Sequence, residues 1–408
     1  LAASLAEGGF TGVVAAKYFH ASQFLIALSA AAPMFGNIMA LLWAELAKNR
    51  RKVPFVNMLK AGVVLVIAAA GFTRFIPDRQ LAGWVFAGLI ISARLFASGI
   101  MTIRSNIWSA NYPRHLRGQI ISRISLVAMA MFALTTLVGG RWLDYNQEAF
   151  LYLYPSAALL GAIGIWQFSH IRVRREAQVL RRQRVYTARP ENVAQTDESN
   201  VLNYHPSNGR GPFRAFLGLF ADARQILKQD KAFRNYQRWQ FVTGFSFMMI
   251  GPSLLYMVSQ EMTDPRSEYL LANFVLQIIP MVVSLIFIQL WGPLFDRLHI
   301  AQFRVVQTSV SVVAQTSLWL GAMVGIWMGS YAGLAVVACG QVLIGITTAG
   351  GNLAWNLGHN DFAPPEKSGQ YMAVHVMLTG LRGCFAPFVG VGLYKFWLGR
   401  YVFLLSGV

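Results

Sequence analysis

Acidic side chains are scarce in this chain of 408 residues: 17 Asp and Glu stand against 35 Lys and Arg, and the four charged types together make up only 13% of it. Soluble domains carry roughly 25%, so a water-borne globule is excluded. Cysteine is almost absent. The two that occur, Cys339 and Cys384, sit in apolar stretches, which rules out a disulfide framework and a cysteine metal site and leaves the redox compartment unread. The chain has no Gly-x-x-x-x-Gly-Lys-Ser/Thr segment, hence no phosphate-binding loop of that type to couple it to ATP. No nucleophile-and-base constellation is visible either. We therefore expect no enzyme activity, no cofactor and no metal; the trio His359, Asp361 and Glu366 reads as a solvated loop.

What is present is apolar. Hydrophobic residues make up 55% of the chain and the mean hydropathy is +0.45. Runs of about 20 apolar residues, the length that crosses a hydrocarbon core, recur throughout and argue for an all-α integral membrane protein rather than the short alternating strands of a barrel. The spacing predicts spans over 1–17, 21–46, 54–74, 80–108, 119–141 and 149–170, then 237–259, 268–293, 304–327, 331–356, 371–395 and from 397 on. That is twelve transmembrane helices in two groups of six. The chain opens on Leu1 inside one apolar run and stops at Val408 inside another, so we expect a polypeptide truncated at both ends. Residues 1–171 form the first half, 172–236 a polar linker and 237–408 the second half. Within the linker, Phe213 to Phe233 alternates apolar and basic residues as an amphipathic surface helix does.

The formal charge of +18 does not point to nucleic acid, because the basic residues cluster in short segments between spans. There they set orientation and face anionic headgroups. Lys48, Arg50, Arg51, Lys52, Arg114, Arg117 and Arg297 fall on the side of the linker, which the positive-inside rule makes cytoplasmic. Both termini then lie in the cytoplasm of a multi-pass protein of the cell membrane. The bilayer is its first partner, and a monomer is expected.

The halves repeat one another. Ser98 to Trp108 aligns with Ile344 to Ala354 at an offset of 246, with Gly99/Gly345, Thr102/Thr348 and Asn106/Asn352 identical. Pro113, Gly118 and Gln119 match Pro364, Gly369 and Gln370 at an offset of 251, which implies a five-residue insertion between the two matches. Leu42 and Trp43 match Leu290 and Trp291 in the same order. Gly292, Asp296 and Arg297 form a Gly-x-x-x-Asp-Arg pattern in the loop after helix 8. Duplication, linker and loop pattern together resemble the major facilitator superfamily of secondary transporters. The resemblance implies a central midplane site, alternating access, and lipid-facing helices 3 and 6. In the first half the loop positions are Ala44, Lys48 and Asn49, so a charge latch is implied only around Asp296.

Three ionisable residues, Glu7, Arg94 and Arg382, fall near the middle of spans, roughly 15 to 20 Å from a helix end at 1.5 Å per residue. Such residues cost about 2.5 to 3.5 kcal/mol in lipid and normally face a protein interior or a polar path. Each belongs to a polar stripe: Ser4, Glu7 and Thr11; Arg94, Ser98 and Ser105; His375, Thr379 and Arg382. Asn273 with Gln277 and Thr348 with Asn352 add i, i+4 pairs. The candidate substrate-binding set is Arg94, Arg382, Glu7, Asn273, Gln277, Asn352 and Thr379, and Glu7 and His375 are candidates for carrying a coupling proton. Two arginines against one glutamate favour a small solute that is anionic or carries an acidic group. Alternatives are a non-transporting membrane scaffold that assembles or delivers a complex, and a carrier of lipid-like molecules. Gln307 and Gln315 in helix 9 have no reading beyond interhelical hydrogen bonding.

Overall fold

The computed structural model describes residues 5, 8–47, 50–112, 114–174, 176–178, 180, 223–363 and 368–407. Helices follow one another wherever the apolar runs lie: α1 Gly8–Tyr18, α2 Gln23–Leu46, α3 Lys52–Phe72, α4 Arg79–Asn111, α5 Arg114–Tyr145 and α6 Ala149–Ser169. After the linker come α7 Lys231–Tyr256, α8 from Tyr269 to Arg297, α9 Ile300–Trp327, α10 Ser330–Leu357, α11 Ser368–Leu393 and a short α12 Val402–Leu405. Eight helical stretches among the described residues are long and apolar enough to cross a membrane. Glu7 lies outside the described residues, as do most of the linker and Glu366.

Several boundaries move for identifiable reasons. α7 starts six residues before the predicted span because the Asp230 carboxylate accepts from the Phe233 N–H at 2.9 Å and caps the helix. Gln237 is thereby helical and faces the interior. α8 is interrupted by a wide turn over Phe274–Ile278, next to Pro280, which has no N–H for the ladder. α11 ends in a second wide turn and the chain reverses at Gly399 (φ +52), a backbone that side-chain-bearing residues avoid. The reversal is visible on α9. Arg400 donates to the Ala322 carbonyl, whereas Gly407 lies beside Gln315, two turns back toward the start of that helix. α12 thus runs back along α9.

The duplication is structural. Trp43 Nε1 donates to the Leu95 carbonyl at 2.9 Å, and Trp291 Nε1 to the Ile346 carbonyl at 2.8 Å. In each case the glycine four residues on, Gly99 or Gly350, leaves room for the indole: a Cβ there would lie 2.8 Å from it. These pairs align α4 with α10 at the 251 offset throughout. The 246 alignment of Ser98–Trp108 is therefore out of register, and the inserted loop it required is not needed. His359 and Asp361 also depart from the solvated-loop expectation: His359 is buried and the Asp361 carboxylate accepts from Ile300 N at 2.8 Å, tying the α10–α11 connection to α9.

α3 and α6 pack together at the outer edge, with Leu65, Leu159, Ile163 and Trp166 exposed, as a lipid-facing pair requires. Gln307 of α9 donates to Thr347 Oγ1 at 3.0 Å, and Thr347 Oγ1 donates back to the Gln307 carbonyl, so this polar residue fastens α9 to α10.

The buried core has one connected part and two separate ones. At the end away from the linker, residues of both halves, from Phe10 and Tyr154 to Met257 and Tyr269, form a single apolar cluster. At the linker end the first half has its own cluster around Val56, Leu59 and Ile103, and the second half another around Phe233, Trp291 and Phe303. Among the described residues the halves thus share one core at the far face and have separate cores at the linker face.

Candidate functional site

Arg382 is the centre of the interior polar chemistry. It is buried on α11, and its Nη1 donates to the Gln240 carbonyl of α7. The guanidinium fits because Gly244 of α7 has no side chain; a Cβ there would collide with it. Among the described residues no carboxylate forms an ion pair with it, and its ionisable neighbours are Arg304, Tyr236 and His375. Its Nε is buried without a partner. About two turns toward the linker, His375 is 2% exposed and its Nδ1 meets the Gln237 amide at 3.2 Å, while the Trp355 ring lies 5.9 Å away. Gln237, Gln240 and Gly244 were missed by sequence reasoning, because a helix start placed at 237 made the first two look like boundary polarity.

Arg94 is half-buried on α4. It stands level with Arg382, on the other flank of α2: Gly36 backs onto Ser98 and the Arg94 carbonyl, while Met34 and Ile38 pack against Gly383 and Gly380. The two arginines are therefore brought to one depth with α2 between them. Gln277 crosses from the second half to lie over Gly9, two residues along α1 from position 7. The other candidates are placed less favourably. Thr379 Oγ1 donates to the His375 carbonyl and Asn273 Nδ2 to the Tyr269 carbonyl, each within its own helix, although Asn273 Oδ1 is buried without a partner. Asn352 is exposed. In the loop motif Gly292 is half-buried, Asp296 and Arg297 are exposed, and no hydrogen bond or ion pair of Asp296 occurs among the described residues.

A seal at the far face lies above this site, also unforeseen. Lys17, 1% exposed at the end of α1, donates to Thr263 Oγ1 and the Ser267 carbonyl at 2.8 Å and to the Asp264 carbonyl, all in the second half. Asp144 of α5 accepts from the Tyr269 and Leu270 N–H groups at the start of α8, where an anion is favoured. Gln260 donates to the Ala16 carbonyl and Gln147 to that of Arg266. The Asp264 carboxyl of this loop is held below the usual range, chiefly by the Arg266 N–H. The site is thus covered from one face by contacts that are nearly all between halves.

Comparisons place this arrangement among known proteins. The sequence matches the description "Major Facilitator Superfamily" over residues 1–387. Among solved structures, the xylose transporter XylE from E. coli in a partially occluded inward-open conformation superposes with a TM-score of 0.61 at 14% identity, covering 100% of this chain and 92% of XylE. A point mutant of the nucleoside transporter NupG superposes with a TM-score of 0.66 at 12% identity, covering 99% of this chain and 92% of NupG. A POT family transporter bound to a thioalcohol-conjugated peptide gives 0.58 at 14% identity, covering 98% and 90%. No curated protein matches the sequence.

Proposed function

The chain belongs to the Major Facilitator Superfamily, and on that premise we propose that it carries a small anionic solute, or one bearing an acidic group, across the cell membrane. Secondary transport by alternating access and a multi-pass membrane location come with the family. The carried charge is our reading, and one observation supports it above others: a buried arginine, Arg382, with no carboxylate to neutralise it among the described residues. A guanidinium so placed is costly in a membrane interior unless an anion completes it. Arg94, at the same depth across α2, supplies the second positive group. Gln277 and the unpartnered Asn273 Oδ1 add neutral polarity from α8.

Residues 1–171 and 237–408 rock as units, with 172–236 as the cytoplasmic connection. The far-face seal faces outward, and the separately cored linker face opens to the cytoplasm, with both termini on that side. Asp296 then engages as a latch only when the linker face closes. The coupling ion is a proton carried by Glu7 rather than His375, whose ring is already tied to Gln237. Counterflow in proteoliposomes against a panel of organic acids, phosphate esters and neutral sugars tests the proposal. Arg382→Gln and Arg94→Gln abolish exchange of the anionic hit, whereas Glu7→Gln abolishes only gradient-driven uptake. Exchange restricted to neutral sugars, or unaltered in both arginine variants, refutes it.

A further inference from the structure

Beside the entry to α7 the linker face has a groove of about 380 Å³ that the transport cycle does not use. Its walls among the described residues are Ala223, Arg224, Leu227, Lys228, Arg234 and Met377: three cations and three apolar residues, with no carboxylate among them. Residues 223–229 form a helical turn that turns Ala223, Ile226 and Leu227 into the second half's core and leaves Arg224 and Lys228 exposed. Arg234, half-buried on α7, has its Nη1 on the Leu227 carbonyl at 3.4 Å and its Nε buried without a partner. The nearest acid with described contacts, Asp230, is spent: one oxygen caps Phe233 N and the other accepts from Tyr371 OH at 3.0 Å. The three cations therefore keep their charge uncompensated among the described residues.

We propose that this groove is a binding site for the headgroup of an anionic phospholipid in the linker-side leaflet. Its position argues for a lipid over a soluble anion. Arg234 lies about one helical turn inside α7, which is headgroup depth for a helix that continues across the bilayer. Cations and apolar walls alternate within one concavity, matching a phosphate joined to a glycerol and its acyl chains. The short helix at 223–229 lies where its polar side meets the interface and its apolar side meets protein. Arg234 keeps its Nη2 for a phosphate oxygen, since Nη1 is on the Leu227 carbonyl and Nε is buried, and Arg224 and Lys228 act as exposed point charges above it. The assignment is independent of which solute is carried, because none of these residues belongs to the interior site.

The test uses the whole protein in nanodiscs of phosphatidylcholine alone and of phosphatidylcholine mixed with phosphatidylglycerol, read by thermal midpoint and by native mass spectrometry of retained lipid. Wild type gains stability and retains phosphatidylglycerol only in the mixed discs. Replacing all three cations (Arg224→Gln, Lys228→Gln, Arg234→Gln) weakens retention roughly 100-fold, and Arg234→Gln alone about 5-fold, at about one interfacial charge's worth each. Arg234→Lys, which keeps the charge, recovers most of the single loss and shows that folding is intact. Equal midpoints of wild type in the two discs overturn the proposal, as does undiminished retention by the triple variant. A rise in midpoint with inorganic phosphate in phosphatidylcholine discs, equal to that given by phosphatidylglycerol, also overturns the lipid assignment.

Discussion

Replacing Lys17 with methionine should unseal the far face. The Lys17 ammonium makes three hydrogen bonds to the loop before α8, and each hydrogen bond from a charged donor is worth about 1.5 to 3 kcal/mol net. Methionine keeps the apolar stem and makes none of them. Because burying the ammonium costs part of that sum, and because the Asp264 and Ser267 carbonyls can rehydrate from the exposed loop, the net weakening is about 2 to 4 kcal/mol. That changes the ratio of sealed to unsealed protein roughly 30- to 1000-fold. Spin labels at Tyr145 and Met328, both exposed at the far face on opposite halves, report the change by double electron–electron resonance after Cys339 and Cys384 are replaced by serine. Wild type should give one short distance, and Lys17→Met a second, longer population. An unchanged distribution in Lys17→Met would refute the claim that this ammonium holds the halves together.

Three further outcomes follow from packing and burial. Gly244→Ala places a methyl on the Arg382 guanidinium; because the far end of a flexible side chain can move aside, the variant should fold normally yet, on the proposed role of Arg382, lose affinity for the solute, seen as a raised half-saturation in counterflow. Gly99→Ala and Gly350→Ala should each cost about 1 to 3 kcal/mol by crowding the equivalent tryptophans, with similar drops in thermal midpoint; a loss at one site only would contradict the 251 register. Burial holds the His359 imidazole below its ordinary value, so the folded protein takes up its proton less readily than the unfolded chain does. As pH falls through about 6.5 the unfolded state is favoured, and thermal scans should show stability declining from pH 7 toward 5, with a flatter decline in His359→Gln.

The helical plan was legible because apolar runs of bilayer length need no tertiary information. The duplicated tryptophans at 43 and 291 were equally readable. Their glycine partners were not: identity counting preferred Gly99 with Gly345, and only the indole's position against Gly350 fixes the register. Arg382 announced itself by sitting in an apolar run. Gln240, which orients it through a main-chain carbonyl, carries no sequence signal, since any residue has that group. Lys17 carries no sequence signal beyond that of a basic residue at the end of an apolar run. Its role depends on a hydroxyl and two carbonyls 246 to 250 positions away, a relation that composition and periodicity do not encode. Thr379 and Asn273 each give a hydrogen bond to their own helix backbone, as polar side chains in lipid-bound helices often do, a use that the sequence pattern does not separate from facing a cavity.

The chemistry of the seal fits what alternating access demands of it. A buried lysine–carboxylate pair would be expensive to separate, since each partner would be left charged in a poor solvent. Lys17 instead meets a hydroxyl and two carbonyls, and Asp144 meets two backbone N–H groups. Each charge thus faces neutral dipoles from the other half. When the halves part, only one ion per contact needs hydration, and water at the far face can provide it. The two ion pairs resolved at that face among the described residues, Arg74–Glu148 and Arg400–Glu261, join residues of the same half, so they travel with it rather than across the moving interface. Charge-compensated pairs are placed where nothing slides, and charge–dipole bonds, which leave a single ion to hydrate, where the halves must separate in every cycle. A closed state a few kcal/mol deep is the expected product of that division, deep enough to exclude solute at the far face and shallow enough to open.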